Sequence, residues 1–506
     1  MTLAGAVSAA VAPFLSGGAA RSDVVDPTVI GLAVGVVAVG LLACVRAARW
    51  VAVCGAVAVA AACAWLLVVD LGTGLVGPRV PVLAAGALCV VVGAAWSGSG
   101  RVTVVGVVAA VLAAGLAGVA PAAAEAGVVR SSVRDARDFA PAAVVERPGG
   151  AQWAWRPGAD VVGVVAARHG VVVALGDGSL VALSGADGRE DWRYRRVGAH
   201  VGAFVASVDG KSVLATFRTG RDTRRHLMVV LDADTGQVRF SRLVRGVLAE
   251  IDDIVPGART VAVRDGDVVV GYDLVTGEQR WRWQPSSGCD ELYAKAVRGR
   301  STVFVAEECP DRVSVVALDE VTGARRWEHR VPMAGVGGER RDVYLLGAPD
   351  GSVVWVRVVT ADVAPGAVTA GVFDAETGAV VARPGPEWWV RTDLGPRIVL
   401  ENESEGTVAA LGPGGAVVPL DAKACGRASG EATTATTYLR ACDDNGREVT
   451  VVAQGLDGSP PSRTPVPLDG SGARAEVHLV PAPGAIVVAR SAFGGTPAPV
   501  VGLTGG

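Results

Sequence analysis

A short motif repeats along the C-terminal two thirds of the chain, and it restricts the possible folds more than any other feature of the sequence. Its two best copies, Asp273–Trp281 and Asp319–Trp327, share the pattern Asp-x-x-Thr-Gly-x-x-x-Trp. Three partial copies keep either the Asp, Thr and Gly or the spacing from Gly to Trp. The residues that we assign to the repeat are Trp192, Asp232, Gly236, Asp273, Gly277, Trp281, Asp319, Gly323, Trp327, Asp374 and Gly378.

Each copy has the residue types of a tight turn between two β-strands. Apolar stretches rich in β-branched residues, such as Val268–Tyr272 and Val313–Leu318, precede the turns and favour strands. An Asp can accept hydrogen bonds from backbone amides two residues on, and Gly adopts the positive φ that a reversal needs. The Trp then lies on the returning strand, where it can fill the gap between neighbouring sheets. The pattern therefore predicts an all-β domain with several short strands per unit.

The spacing of the repeat predicts a β-propeller. The turn glycines lie 48, 41, 46 and 55 positions apart, at Gly188, Gly236, Gly277, Gly323 and Gly378. Four-stranded propeller blades are about 40–50 residues long, and loose spacing suits blades with variable loops. Trp153–Trp155 matches the second half of a motif, and Leu503–Gly505 matches the first half. A ring in which the N-terminal strand completes the last blade explains both halves. We expect eight blades, with seven as the alternative.

The motif resembles the repeat of the quinoprotein, or PQQ-binding-like, β-propellers. This family includes quinoprotein dehydrogenases and BamB-like proteins, and the resemblance covers residues 150–506. It implies that Trp192, Trp281 and Trp327 pack between blades as structural residues. The resemblance does not by itself imply an activity, because the family contains both enzymes and scaffolds.

The first quarter of the chain has the composition of membrane-spanning helices. Residues 1–124 contain four uncharged apolar stretches, and residues 1–20 form a possible additional span. A helix needs about 20 apolar residues to cross a bilayer core. We therefore expect a transmembrane region in residues 1–124, a linker in residues 125–149 and the propeller in residues 150–506. The four predicted helices are 29–45, 51–69, 80–100 and 102–124.

The loops between the predicted spans indicate which side of the membrane each part faces. Arg46 and Arg49 lie in one loop and Arg101 lies in another, and short loops rich in Lys and Arg stay in the cytoplasm. The chain then leaves the fourth span on the opposite side. We therefore predict a multi-pass cell-membrane protein with its propeller outside the cytoplasm. The abundance of Ala, Val, Gly and Arg favours a bacterial, and in particular an actinobacterial, source.

The predicted outer domain has no residue pattern that indicates catalysis, cofactor binding or metal binding. Several quinoprotein dehydrogenases have two adjacent cysteines beside the cofactor, and this chain has no such pair. Its five histidines are not spaced as metal ligands. An excess of acidic residues in this domain argues against binding of nucleic acid.

These features favour a non-catalytic binding or scaffold module in the cell envelope. We expect no cofactor, and as partners the lipid bilayer and either another envelope protein or a cell-wall component. A quinone-linked membrane dehydrogenase of the quinoprotein type and an envelope receptor or sensor are the alternatives.

Four cysteines lie in the predicted outer domain, as two local couples. Cys289 and Cys309 are 20 positions apart, and Cys425 and Cys442 are 17 positions apart. Disulfides persist outside the cytoplasm, and strand-like residues within each couple can bring its ends together. The sequence therefore favours the pairs Cys289–Cys309 and Cys425–Cys442, with free buried thiols as the alternative.

The adjacent residues Trp388 and Trp389 are a possible binding patch. Neighbouring residues of a strand face opposite sides of the sheet, so both cannot enter the core in the same manner. Exposed aromatic residues are common at binding surfaces. Packing between blades is the alternative role of this pair.

Overall fold

The computed structural model describes a small cluster of helices followed by a β-propeller. The described residues are 2–15, 27–73, 77, 79–95, 119, 123–135, 142–218, 225–245, 254–265, 268–291, 297–332, 341–360, 369–385, 387–402, 404–412, 415–425, 428–443, 448–468, 476–491 and 496–505.

Apolar helices form the N-terminal part of the described chain. They are α1 (Thr2–Val11), α2 (Pro27–Leu42), α3 (Arg49–Thr73) and α4 (Arg79–Ala95), with short 3₁₀ turns at Ala12–Phe14 and Arg46–Ala48. Small residues let α1 and α4 approach closely, since a Cβ on Gly5 would lie 2.6 Å from the carbonyl oxygen of Gly86. Close approach of helices at small residues is typical of helix packing in membranes.

Among the described helices, one is long and apolar enough to cross a membrane, namely the segment Trp50–Asp70 of α3. It covers the predicted span 51–69. The helices at the predicted spans 1–20, 29–45 and 80–100 are shorter, and they are apolar over Thr2–Phe14, Thr28–Leu42 and Arg79–Ala94. Most of the predicted span 102–124 lies outside the described residues, as do residues 16–20 and 96–100.

The rest of the chain folds into a ring of eight antiparallel blades, as the repeat spacing predicts. In blades 1 to 7 the four main strands follow one another from the inner edge to the outer edge of the sheet. The innermost strand of blade 4 consists of two segments, Asp290–Glu291 and Val297–Arg298, which both pair with Thr302–Cys309. In blade 8 the outermost strand is Gln152–Trp155, which pairs with Val500–Leu503. This pairing confirms the predicted closure of the ring by the N-terminal strand.

The strands have the following bounds in chain order. Blade 1 contains Val161–Ala167, Gly170–Leu175, Ser179–Ser184 and Glu190–Arg196; blade 2 contains His200–Ala206, Ser212–Arg218, Arg225–Asp232 and Val238–Arg245; blade 3 contains Ile254–Pro256, Thr260–Asp265, Val268–Asp273 and Gln279–Trp283; blade 4 contains Asp290–Glu291, Val297–Arg298, Thr302–Cys309, Arg312–Asp319 and Arg325–Pro332. Blade 5 contains Arg341–Gly347, Val353–Thr360, Thr369–Asp374 and Val380–Ala382; blade 6 contains Trp389–Arg391, Val399–Asn402, Thr407–Leu411 and Val417–Leu420; blade 7 contains Ala428–Thr433, Thr437–Asp443, Glu448–Gly455 and Ser462–Pro467; blade 8 contains Val477–Ala482, Ala485–Arg490, Val500–Leu503 and Gln152–Trp155.

Antiparallel strand order gives the ring two distinct ends. The first strands of many neighbouring blades contact one another, so these inner strands surround the ring axis. Because successive strands alternate in direction, the first-to-second and third-to-fourth turns of all blades lie at the same end. We call this end the turn face. The repeat motifs form third-to-fourth turns, so they all lie on the turn face.

One arginine joins several blades near the axis at the turn face. The Nη1 group of Arg298 in blade 4 donates to the carbonyl oxygens of Ala206 in blade 2 (2.5 Å) and Pro256 in blade 3 (2.7 Å). Its Nη2 group donates to the carbonyl oxygen of Pro349 in blade 5 (3.4 Å). Burial lowers the pKa of Arg298 to about 10, so the guanidinium stays charged at neutral pH. A single charged group thus satisfies backbone acceptors of three other blades.

The segment predicted as a linker, residues 125–149, is attached to the propeller. Val129–Ser132 forms a fifth strand on the outer edge of blade 1, beside Glu190–Arg196. Further along, the carboxylate of Glu146 accepts hydrogen bonds from the backbone N–H (3.0 Å) and the hydroxyl (2.8 Å) of Thr436 on the turn face of blade 7. The described part of this segment is therefore part of the propeller domain, because it forms hydrogen bonds with blades 1 and 7.

Both cysteine couples of the propeller form disulfides, with the local pairing that the sequence favours. The Cα–Cα distances are 4.3 Å for Cys289–Cys309 and 5.6 Å for Cys425–Cys442. Each disulfide closes a short loop, which restricts the unfolded chain more than the folded one.

Candidate functional site

The aspartate of each repeat builds the turn. In blade 4, Oδ1 of Asp319 accepts hydrogen bonds from the backbone N–H groups of Val321 (3.0 Å) and Thr322 (2.8 Å). Its Oδ2 binds the guanidinium of Arg326 (2.6 Å) on the returning strand. Burial by itself would raise the pKa of Asp319, but these hydrogen bonds outweigh it and lower the pKa to about 2. The same backbone contacts and lowered pKa values are found at Asp232, Asp273 and Asp374.

Acidification is expected to weaken these turns. The pKa of Asp319 is lower in the folded chain than its ordinary value of 3.8. Its charge therefore stabilises the fold above that value, and the contribution is lost as the pH falls through about 2. The variant Asp319→Asn keeps the oxygen acceptor but lacks the charge. In urea unfolding followed by circular dichroism, we expect it to be less stable than the wild type near neutral pH and to approach the wild type at about pH 2. A stability difference that is the same at both pH values would contradict this origin.

A tryptophan on the outer strand of several blades is hydrogen-bonded to the next blade. In blade 3 the Nε1 of Trp281 donates to the carbonyl oxygen of Glu320 in the repeat turn of blade 4 (2.7 Å). The acceptor is the residue after the aspartate of that turn. Equivalent bonds of 2.8, 3.2 and 2.9 Å join Trp192 to Ala233, Trp327 to Ala375 and, across the ring closure, Trp153 to Gly185. The motif therefore encodes the contact between blades as well as the turn within a blade.

The turn glycine is required by the same contact. Gly323 has a φ of +68°, and a Cβ there would lie 2.7 Å from Cγ of Trp281. Blade 2 has Phe240 in place of the tryptophan, and its ring lies against Gly277 in the same way. A phenyl ring cannot donate a hydrogen bond, and in blade 2 the Nη1 of Arg242 donates to the carbonyl oxygen of Gly277 instead (2.7 Å).

The interface between blades 5 and 6 departs from this arrangement, because the blade 5 motif lacks the tryptophan. Side chains of the first and second strands, namely Tyr344, Trp355, Arg357 and Trp389, fill the interface instead. We call these four residues and the neighbouring Arg391 the inner patch. The ring centroid of Trp389 lies 4.7 Å from that of Trp355 and 5.4 Å from that of Tyr344, edge to face in both cases. The guanidinium of Arg357 lies 5.6 Å from the centroid of Trp389. Trp355 is fully buried, whereas Tyr344 is 41% exposed.

A dense ionic cluster adjoins the inner patch at Arg391. The guanidinium contacts the carboxylates of Asp393 (3.0 Å), Glu401 (3.3 Å) and Glu431 (3.2 Å). Glu431 belongs to blade 7 and also accepts a hydrogen bond from the hydroxyl of Tyr438. Burial is the main cause that raises the pKa of Glu401 and of Tyr438. The cluster links blades 6 and 7, and in it three carboxylates contact one guanidinium.

The predicted patch residues Trp388 and Trp389 are both partly buried. They pack against the apolar cluster between blades 5 and 6 that contains Trp355 and Leu400. Trp389 thus contributes to packing between blades, and it also contacts the exposed Tyr344. The sequence does not identify the remaining members of the inner patch, because they share no motif and because the contacts of Tyr344 and Arg357 with Trp389 cross from one blade to the next. The sequence feature that marks this interface is the absence of the motif tryptophan from the blade 5 repeat.

One group of described residues brings potential metal ligands together. The Sγ atoms of Cys289 and Cys309 and a carboxylate oxygen of Glu307 lie within 4.8 Å of one another. In this structure the two sulfur atoms are joined as a disulfide. They are therefore not available as thiolate ligands in this oxidation state.

A match to a known family covers much of the chain. The family model described as outer membrane protein assembly factor BamB matches residues 109–241 and 198–391, which together span more than half of the sequence. No curated protein matches this sequence significantly.

Solved structures with a similar fold include proteins of several kinds. BamB from Moraxella catarrhalis is 15% identical, with a TM-score of 0.40, and the match covers 69% of this chain and 98% of that one. A eukaryotic initiation factor is 13% identical, with a TM-score of 0.39 and coverage of 61% and 88%. The β-propeller domain of Cps50 (Swd1) from Myceliophteria thermophila is 11% identical, with a TM-score of 0.36 and coverage of 61% and 97%.

Proposed function

The chain belongs to the family of the outer membrane protein assembly factor BamB, and from this premise we propose that it is a non-catalytic binding module of the cell envelope. In this proposal the N-terminal helices anchor the protein in the membrane, the propeller lies outside the cytoplasm, and no cofactor is needed. The partner is another envelope protein. A propeller suits this role because several blades contribute to one rigid surface.

The composition and surroundings of α3 support membrane anchoring. The segment Trp50–Asp70 has no charged residue before Asp70, and only 17% of an 18-residue stretch within it is buried by the rest of the protein. Val57 and Trp65 are exposed although they lie within the apolar stretch. A helix that is apolar on all sides and largely uncovered is favoured in lipid, because water would have to hydrate its whole apolar surface.

The observation that carries the proposed binding role is the inner patch. Aromatic residues and arginine are enriched where proteins bind one another. Trp389 rests on the buried Trp355 and contacts the exposed Tyr344. The exposed ring is therefore held in place before a partner arrives, and little conformational entropy is lost on binding. The partly exposed carboxylates around Arg391 add polar contacts.

Photo-crosslinking in living cells tests the binding role. We expect p-benzoylphenylalanine at position 344 to give a crosslinked product with one envelope protein, because Tyr344 is the exposed ring of the inner patch. The matched control carries the same photoreactive residue at position 381. Val381 is 46% exposed and lies on the outer strand of the same blade.

The two positions distinguish specific binding from general proximity. A product at position 344 that is absent at position 381 supports the proposal. Equal products at both positions, or none at position 344 in a protein whose melting temperature is unchanged, would show that the inner patch is not the binding surface.

A further inference from the structure

The two disulfides of the propeller differ in their surroundings. Cys425–Cys442 lies in an apolar cluster with Ala424 and Val452. By contrast, Cys289–Cys309 lies beside the carboxylate of Glu307, which is only 1% exposed. A carboxylate oxygen and both Sγ atoms are within 4.8 Å of one another. Burying a carboxylate next to a disulfide gains nothing from the disulfide itself, because neutral sulfur is a weak hydrogen-bond partner.

The position of the Glu307 carboxylate is fixed. The backbone N–H of Ser286 donates to its Oε2 (2.8 Å), and the hydroxyl of Ser286 donates to its Oε1 (3.1 Å). The carbonyl oxygen of Ser286 accepts from the backbone N–H of Cys289 (2.9 Å). The same serine therefore holds both the carboxylate and the turn that carries Cys289. An ionised carboxylate has further lone pairs, so these hydrogen bonds leave it able to bind a cation.

We propose that Cys289, Cys309 and Glu307 form a redox-gated site for a thiophilic divalent metal ion such as Zn²⁺. In the oxidised protein the sulfur atoms are bonded to each other and the site is closed. In the reduced protein two thiolates and one carboxylate face one another at a spacing that a single ion can bridge. Zn²⁺ accepts both ligand types and commonly takes three protein ligands with water in the fourth position. This proposal does not depend on the proposed function.

Reduction of the Cys289–Cys309 disulfide opens the site, and the atoms and electrons of this reaction balance. A trialkylphosphine breaks the S–S bond and is oxidised to the phosphine oxide, while the two sulfur atoms are reduced to thiols. The oxygen of the phosphine oxide and the two thiol protons come from one water molecule. Binding of Zn²⁺ then releases both thiol protons to the solvent. Cys289 is partly exposed, which gives the phosphine and the metal ion access to the pair.

The other disulfide provides the matched control. The test uses the full chain in detergent, with the helix cysteines Cys44, Cys54, Cys63 and Cys89 replaced by alanine. One variant also carries Cys425→Ser and Cys442→Ser, and its counterpart carries Cys289→Ser and Cys309→Ser. After phosphine reduction both are titrated with Co²⁺, whose thiolate charge-transfer band reports sulfur ligation, and then with Zn²⁺ as the competitor.

We expect an equimolar amount of metal to bind to the reduced variant that keeps Cys289 and Cys309, and none to its oxidised form or to the counterpart. Adding Glu307→Gln should raise the dissociation constant for Zn²⁺ roughly tenfold or more, since even outer-sphere partners have effects of that size. If Glu307→Gln lowers the melting temperature of the oxidised protein, Glu307→Asp replaces it, and its shorter carboxylate should also weaken binding.

Three outcomes would overturn the proposal. One is the absence of a thiolate band in the reduced variant that keeps Cys289 and Cys309. Another is equal metal binding by the two reduced variants. The third is an unchanged affinity in a correctly folded Glu307 variant, which would remove the carboxylate from the site.

Discussion

Replacing Trp281 with alanine is expected to lower the free energy of unfolding by about 4 kcal/mol. The indole is 6% exposed and belongs to an apolar cluster between blades 3 and 4 that includes Val303 and Val316. It also supplies the hydrogen bond to the Glu320 carbonyl oxygen (2.7 Å). Alanine leaves a cavity between the blades and a buried carbonyl group without this donor. Denaturant unfolding of the detergent-solubilised chain, followed by near-ultraviolet circular dichroism, measures the loss.

The variant Trp281→Phe separates packing from hydrogen bonding. Phenylalanine keeps most of the apolar area but lacks the N–H donor, so we expect a loss of about 1 kcal/mol. Blade 2 already uses Phe240 at the equivalent position. A loss below about 1 kcal/mol for the alanine variant would contradict the role of Trp281 as a contact between blades.

The variant Gly323→Ala is expected to have an effect of similar size, about 4 kcal/mol, for two reasons that add. A residue with a Cβ pays roughly 1–2 kcal/mol in the left-handed region, and Gly323 has a φ of +68°. The new Cβ would also lie 2.7 Å from Cγ of Trp281, and forcing an atom into a packed core costs about 1–3 kcal/mol. The same unfolding measurement applies.

Gly406 provides the control for this substitution. Its φ is +63°, and a Cβ there meets nothing within 4 Å. Gly406→Ala therefore has only the backbone cost, and we expect a loss of about 1–2 kcal/mol. Equal losses for the two variants would mean that contact with the tryptophan does not constrain the turn glycine.

The sequence predicts the parts of the propeller that are built from neighbouring residues. The turn at Asp319–Gly323 is complete within five positions, so its aspartate, threonine and glycine can be recognised without the rest of the chain. The half motif at Trp153–Trp155 is also visible in the sequence, and it led to the correct closure of the ring. Both features are copies of a motif that recurs along the chain, and this recurrence distinguishes them from chance matches.

Apart from Trp389, the inner patch could not be predicted in the same way. Tyr344 and Arg357 of blade 5 meet Trp389 of blade 6, and these contacts exist only because the ring brings the two blades together. The adjoining contact between Arg391 and Glu431 of blade 7 has the same origin. The pairing of the strand Val129–Ser132 could not be predicted either, because nothing in its four residues indicates that the edge of blade 1 is its partner. The sequence shows the missing tryptophan of the blade 5 repeat and the adjacent Trp388 and Trp389, but it does not show which residues they contact across blades.

The pairing of Gln152–Trp155 with Val500–Leu503 sets the order in which the protein can be completed during its synthesis. The four main strands of each of blades 1 to 7 are consecutive in the chain, so each blade can form soon after its last residue leaves the ribosome. Blade 8 must wait, because its outer strand is made first and its other strands are made last. Until then the partly built ring carries unpaired strand edges, which are prone to pair with other chains. Joining such distant segments is also slow compared with forming local contacts. If synthesis stops early, the blades therefore remain an open arc. The ring can close only after residue 503 has been made, because Val500–Leu503 is the strand that pairs with Gln152–Trp155.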